Sequence, residues 1–142
     1  TIMKQIPVIF WTGTGNTQMM ADAVAEAINA AGAEAVVKNV SEISADEAAG
    51  YDALALGCPA MGAEVLEECE FEPFFTELEG KLAGKKVALF GSYGWGGSYM
   101  QDWEARVKDA GATLVADGVL ALGAPDDEAM AKLAEAGKLL AE

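Results

Sequence analysis

Two short runs, DALALG at 52–57 and KVALFG at 86–91, carry apolar side chains on consecutive positions. Successive side chains of a strand point to opposite faces, so a strand with one wet face alternates, and these two do not. Both of their faces must be covered, as in the centre of a parallel sheet with helices on each side. The remaining apolar runs agree. IPVIFW (6–11) reads as a first strand, EAVVKNV (34–40) as an edge strand because it alternates and carries Lys38, and TLVADGVLALG (113–123) as one long last strand. Helical stripes lie between them: Met20, Val24 and Ile28 with Ala27 and Ala31, ending at Gly32; Phe71, Phe74, Phe75, Leu78 and Leu82, with Pro73 in the first turn. Met100, Trp103 and Val107 form a third stripe, and Met130, Leu133, Gly137 and Leu140 a last one. Ser44 with Glu47 and Ser98 with Gln101 have capping-box spacing, and Asp126, Asp127 and Glu128 suit the positive end of the last helix. Pro7 departs from the plan. It cannot donate to a ladder, so regular pairing of the first strand is expected to begin after it.

The pattern predicts a single α/β domain over residues 1–142, with no linker or repeat. Hydrophobic residues make up 52% and charged residues 23%, an ordinary globular balance. There is no histidine, which removes Ser-His-Asp and Cys-His nucleophiles, a histidine general base and histidine metal ligands together. Cys58 and Cys69 are too few and too far apart for a thiolate metal site and suit a reducing compartment. The formal net charge of -14 disfavours nucleic acid and anionic membranes and attracts basic protein surfaces, although acids also confer plain solubility. No segment is long and apolar enough to span a bilayer, and no basic-then-apolar leader opens the chain, so a soluble cytoplasmic protein is expected. Thr1-Ile2 read equally as a processed terminus or as an addition ahead of Met3.

Glycine-bearing loops follow the first, third and fourth expected strands: WTGTGNT (11–17), GCPAMGAE (57–64) and GSYGWGG (91–97). In a parallel sheet such loops emerge at one edge, and ligands bind there where the strand order reverses. The first loop is no Walker loop, since Asn16-Thr17 follows Gly15, and no dinucleotide fingerprint, since position 18 is Gln. It offers the hydroxyls of Thr12, Thr14 and Thr17, the Asn16 amide and a helix N-terminus, enough to surround a phosphate with neutral donors. An ordinary polar strand-to-helix turn has the same residues. The other loops add weight, because Trp95 and Met61 project from them and could sandwich a flat aromatic ligand. A phosphate at one end and an aromatic slot at the other describe a mononucleotide.

With these loops in view the chain resembles the flavodoxins, small FMN-binding electron carriers, and within them the short-chain branch found in anaerobic bacteria. FWTGTGNT (10–17), GCPAMGAE and GSYGWGG match the family's three flavin loops, and the likeness runs from about Gln5 to the last helix. The resemblance implies a flavodoxin-like, doubly wound, five-stranded parallel sheet of order 2-1-3-4-5 with helices on both faces; flavodoxin is itself a type example of that order. It implies that Thr12, Gly13, Thr14, Gly15, Asn16 and Thr17 hold the FMN phosphate, and that Pro59, Ala60, Met61, Gly62 and Glu64 form the second flavin loop. There Met61 covers the inner flavin face, the Met61–Gly62 peptide lies at N5 and Glu64 accepts from N3–H. Gly91, Ser92, Tyr93, Gly94 and Gly96 shape the pyrimidine end, and Trp95 stacks on the outer face. Ala63 offers only backbone groups, and Pro7 is atypical of the family's first strand.

The implied function is a low-potential one-electron carrier that shuttles non-covalently bound FMN between semiquinone and hydroquinone. Gly62 has no Cβ and suits a peptide that turns its carbonyl toward N5–H, while Glu64 and the acidic chain leave the anionic hydroquinone poorly compensated. Redox proteins with basic docking surfaces are the implied partners, and a monomer is expected. Cys58 is expected to pack without a redox role, Tyr99 and Trp103 to pack within a helix, and Trp11 to lie in the core or rim or to touch the phosphate. Glu67, Glu68, Glu70 and Glu72 read equally as a solvated helix face or as part of a docking surface. An FMN-dependent NAD(P)H:quinone reductase is the enzymatic alternative, although no extra loops form a substrate pocket. A response-regulator module would need an acidic cluster where this chain has Trp11-Thr12-Gly13.

Overall fold

The computed structural model describes residues 4–11, 15–59, 70–93, 98–122 and 124–142, without the side chains of Ser98 and Leu122. Its strands are β1 (Gln5–Phe10), β2 (Glu34–Asn39), β3 (Ala53–Gly57), β4 (Lys86–Tyr93), β5 (Thr113–Leu114) and β6 (Val119–Leu122). Its helices are α1 (Asn16–Ala30), α2 (Ala45–Ala48), α3 (Phe71–Glu79), α4 (Ser98–Asp109) and α5 (Asp127–Ala141), with a 3₁₀ turn at Val40–Glu42. The sheet is parallel in the order β2-β1-β3-β4-β5, with β6 also paired to β4. The expected order therefore holds. The expected single last strand does not: the sheet has six strand segments, because 113–123 breaks after Leu114 and resumes at Val119.

Within the break the Gly118 amide donates to a Glu104 carboxylate oxygen on α4 at 2.7 Å. Upstream, Val115 still donates to Val87 at 3.0 Å, and downstream Val119 pairs with Phe90. The pairing to β6 extends β4 through Tyr93, so Gly91, Ser92 and Tyr93, expected in a loop, are strand residues.

Pro7 is also placed more exactly. Pairing with β2 starts at Gln5 and includes Pro7 opposite Val36, contrary to expectation, while pairing with β3 starts at Val8, after the proline. Trp11 N–H donates to Gly57 on the β3 side, and donors alternate along a strand. The proline nitrogen therefore faces β3, just short of where pairing with β3 begins, and no donor of the β2 ladder is lost.

The core lies in two layers, one on each face of the sheet. Beneath α1 and α5 are Ile6, Val8, Phe10, Met20, Val24, Ile28, Leu133 and Leu140. Beneath α2, α3 and α4 are Ile9, Leu54, Leu56, Phe71, Phe75, Leu78, Leu89, Trp103 and Val107. Trp103 stands edge-on to Phe71 and Phe75, with ring centroids 5.4 and 5.9 Å away. Every residue of β3 is buried, which explains its unbroken apolar run. On the first layer α5 packs against α1 through Gly137, where a Cβ would lie 2.7 Å from the Val24 carbonyl oxygen and 2.9 Å from the Ala27 methyl. This approach turns Ala129, Ala136 and Gly137 inward and leaves Met130 39% exposed, against the expectation that it is core. Asp126 caps α5 by accepting from the Ala129 amide at 2.8 Å, and Ser44 caps α2 by accepting from Glu47 at 3.1 Å.

Candidate functional site

The carboxyl ends of β1, β3 and β4 lie side by side. Phe10 is in register with Gly57, and Gly57 with Phe90. Backbone bonds carry the alignment one step past the strands: Trp11 donates to Gly57 at 3.0 Å and Cys58 donates to Phe90 at 3.1 Å. The order reverses between β1 and β3, since β2 lies beyond β1, so this edge is the switch point of the sheet.

From the first of these ends α1 begins. Gly15 precedes it with φ +93°, the left-handed region that favours glycine, and space lies open where a Cβ would stand. The first turn, Asn16-Thr17-Gln18, has no acidic residue, so nothing negative opposes an anion at the positive end of the helix. Gly15 and Asn16 are half-exposed there, and Thr17 turns inward and is buried. Its Oγ1 lies 3.3 Å from Ser92 Oγ on β4, also buried. Two of the expected site hydroxyls, 75 residues apart, thus meet in one hydrogen bond.

The second end carries Pro59, half-buried, whose carbonyl accepts from the Cys58 thiol at 3.5 Å. Cys58 is fully buried. At the third end Gly91 and Ser92 are buried and Tyr93 is half-buried. Gly91 has a steric reason to be glycine: a Cβ there would overlap both the Tyr99 hydroxyl oxygen and the Cys58 carbonyl oxygen. Tyr99 fills that space from the first turn of α4 and donates its hydroxyl to the Cys58 carbonyl at 2.9 Å. Burial pushes the phenol well above its ordinary range, so it stays a donor at any physiological pH. Thr12, Gly13, Thr14, Ala60, Met61, Gly62, Glu64, Gly94, Trp95 and Gly96, and with them Cys69, lie outside the described residues.

Sequence reasoning left two contacts unseen. Tyr99 is more than helix packing, for the reason just given. Trp11 is half-buried and donates its indole Nε1–H to Glu70 Oε1 at 3.3 Å, joining the end of the first strand to the start of α3. A tyrosine two residues past a glycine-rich loop is the local hint of the former. The acidic run is not a uniformly solvated face either. Glu72 receives two bonds from the Arg106 guanidinium, at 2.7 and 2.9 Å, and Glu79 pairs with the same group at 3.1 Å. The Arg106 hydrogen bonds hold the Glu72 carboxyl below the usual carboxylate range, against a smaller upward push from burial and with help from Thr76. Glu67 and Glu68 lie outside the described residues.

The donor set suits a phosphate ester: neutral hydroxyls and an amide at a helix N-terminus, at the switch point of a parallel sheet. Among the described residues no group of histidine, cysteine or carboxylate side chains could hold a metal ion. Comparison with known proteins points the same way. The family model described as Flavodoxin matches residues 8–137. A flavodoxin of Clostridium beijerinckii is 47% identical over 135 residues, covering 94% of this chain and 97% of its own. One of Megasphaera elsdenii is 47% identical over 116 residues, covering 81% and 85%. The solution structure of the two-electron reduced Megasphaera elsdenii flavodoxin superposes with a TM-score of 0.88 at 43% identity, covering 96% of this chain and 98% of that one. The chain belongs to the flavodoxin family.

Proposed function

We infer that the strand ends of β1, β3 and β4, with the loops that leave them, form the seat of an FMN held at low potential. As a flavodoxin the protein is an FMN-binding electron carrier and not an enzyme. FMN, when bound, supplies the capacity to take up and give back electrons one at a time. The chain's part is to hold the cofactor, shield it and set its potentials. The observation that carries the reading is the Thr17–Ser92 hydrogen bond, which closes the base of the site between the start of α1 and the end of β4.

Thr12, Gly13, Thr14, Gly15, Asn16 and Thr17 are assigned to the phosphate, which is an anchor and not a reacting group. Amides, hydroxyls and a helix N-terminus suffice for that task, with no lysine. Pro59, Ala60, Met61, Gly62 and Glu64 are assigned to the inner flavin face and its N5 and N3 edge. Gly91, Ser92, Tyr93, Gly94, Trp95 and Gly96 are assigned to the pyrimidine end and outer face. No Lys or Arg occurs in residues 5–37, 57–80 or 87–105, the segments that hold all three loops. With a net charge of -14 the envelope opposes added negative charge at the site, which favours a low potential for the second electron.

The same charge suits docking of redox partners through basic surfaces, with the protein acting as a monomer in the cytoplasm. Among the described residues no helix is long and apolar enough to cross a membrane. Titration of the apoprotein with FMN, followed by an anaerobic potentiometric titration, tests the reading. One equivalent bound, with a second midpoint potential below that of free FMN, supports it. Rapid oxidation of NAD(P)H by quinone without a separate reductase would favour the enzymatic alternative.

A further inference from the structure

Two side chains hold the connection from β3 to α3 at its two ends. At the exit from β3, the Cys58 carbonyl accepts from the Tyr99 hydroxyl on α4 at 2.9 Å. At the entry to α3, Glu70 accepts from the Trp11 indole at 3.3 Å. The first tie is the better buried: Tyr99 is 2% exposed and Cys58 fully buried, whereas Glu70 is exposed. It is also built from both sides, because the hydroxyl occupies space that exists only while residue 91 lacks a Cβ.

We propose that Tyr99 is a positioning residue for the flavin site: its buried hydroxyl, seated over Gly91, fixes the Cys58 carbonyl and so the point from which the chain departs β3. The link is long-range, joining positions 41 apart, and it couples the end of the third loop to the start of the second. A hydrogen bond to the Cys58 carbonyl fixes the orientation of the Cys58–Pro59 peptide plane, from which the second loop starts. Pro59 comes next, and its locked φ transmits the direction with one less soft torsion. Because the phenol titrates far above neutrality, the tie is constant with pH and acts as a fixed support, not a switch. This inference rests on the assignment of Ala60 to Glu64 to the flavin made above.

The test uses the FMN-loaded full chain and its apoprotein, with Tyr99→Phe as the main variant, since it keeps the ring and removes only the donor. Gly91→Ala disturbs the same bond from the opposite side and is an independent check if one variant folds poorly. Gly62→Val serves as the control for the loop assignment. Tyr99→Phe is expected to raise the FMN dissociation constant about threefold to tenfold, the effect of one hydrogen bond, and to change the gap between the two midpoint potentials. In the apoprotein it should speed amide exchange of Cys58 severalfold while leaving Ala55 and Leu56 in β3 unchanged. Gly91→Ala should move the same readouts in the same direction. If Tyr99→Phe lowers only the global unfolding midpoint, with potentials, FMN affinity and Cys58 exchange as in the parent, the positioning role is overturned. Should Gly62→Val alter the potentials in that case, the loop assignment stands without Tyr99. Should neither variant alter them, both fall.

Discussion

Thr17 Oγ1 on α1 and Ser92 Oγ on β4 lie 3.3 Å apart, both buried, at the carboxyl edge of the sheet. A hydroxyl can donate once and accept twice, so engagement of one lone pair or proton here leaves capacity on both groups for a ligand. The pair thus joins the start of α1 to the end of β4.

Removing either hydroxyl should therefore have two consequences. Thr17→Val keeps the shape of the side chain and leaves Ser92 without this partner, costing about 1 kcal/mol of apoprotein stability. FMN affinity should fall by more than that stability loss predicts, as judged by quenching of flavin fluorescence on titration. Ser92→Ala should behave alike, and the double variant should be less than additive, because both changes break one bond.

The contact of α1 with α5 leads to a prediction with no redox component. Gly137→Val places branched atoms against the Val24 carbonyl and the Ala27 methyl, already closer than van der Waals contact for a Cβ alone. Relief requires the helices to separate, at a cost of roughly 1–3 kcal/mol in urea denaturation. The FMN affinity of the folded fraction should stay unchanged, since this seam lies away from the strand ends.

Legibility in the sequence followed the range of the forces involved. DALALG read correctly as a central strand because burial on both faces is a property of each residue in turn. The cap at Ser44 was visible because its partner lies three residues away, whereas Asp126, legible as a charge at the positive helix end, also caps the helix through the Ala129 amide. The break at 115–118 was not visible in an unbroken run of strand-like residues, and the Gly118–Glu104 bond inside it is tertiary. Met130 has the correct helical spacing for the core but yields its place to smaller alanines where α1 comes close. Near the strand ends the sequence shows residue types and not their pairing: the bond between Thr17 and Ser92 and the seat of Tyr99 over Gly91 are tertiary.

Acid sensitivity should be concentrated at Arg106. Glu72 titrates below its ordinary value of 4.5 in the folded protein because the guanidinium hydrogen-bonds its charged form. The unfolded chain thus takes up this proton first as pH falls, and the stabilisation is whole above about pH 5 and disappears through the lower folded-state value. Both partners are about one-third exposed, which limits the pair to about 1 kcal/mol even with bidentate geometry. Glu72→Gln should accordingly lower urea stability at pH 7, and its effect should shrink as the pH falls below the ordinary carboxylate range.

The central claim is that neutral loops in a strongly acidic envelope hold FMN and keep its second reduction difficult. Anaerobic potentiometry of the reconstituted protein, run beside free FMN, measures this directly. The account predicts one FMN per chain and two well-separated one-electron midpoints, the second below that of the free cofactor and rising as salt screens the envelope. A second midpoint at or above that of free FMN, or one insensitive to salt, would contradict it.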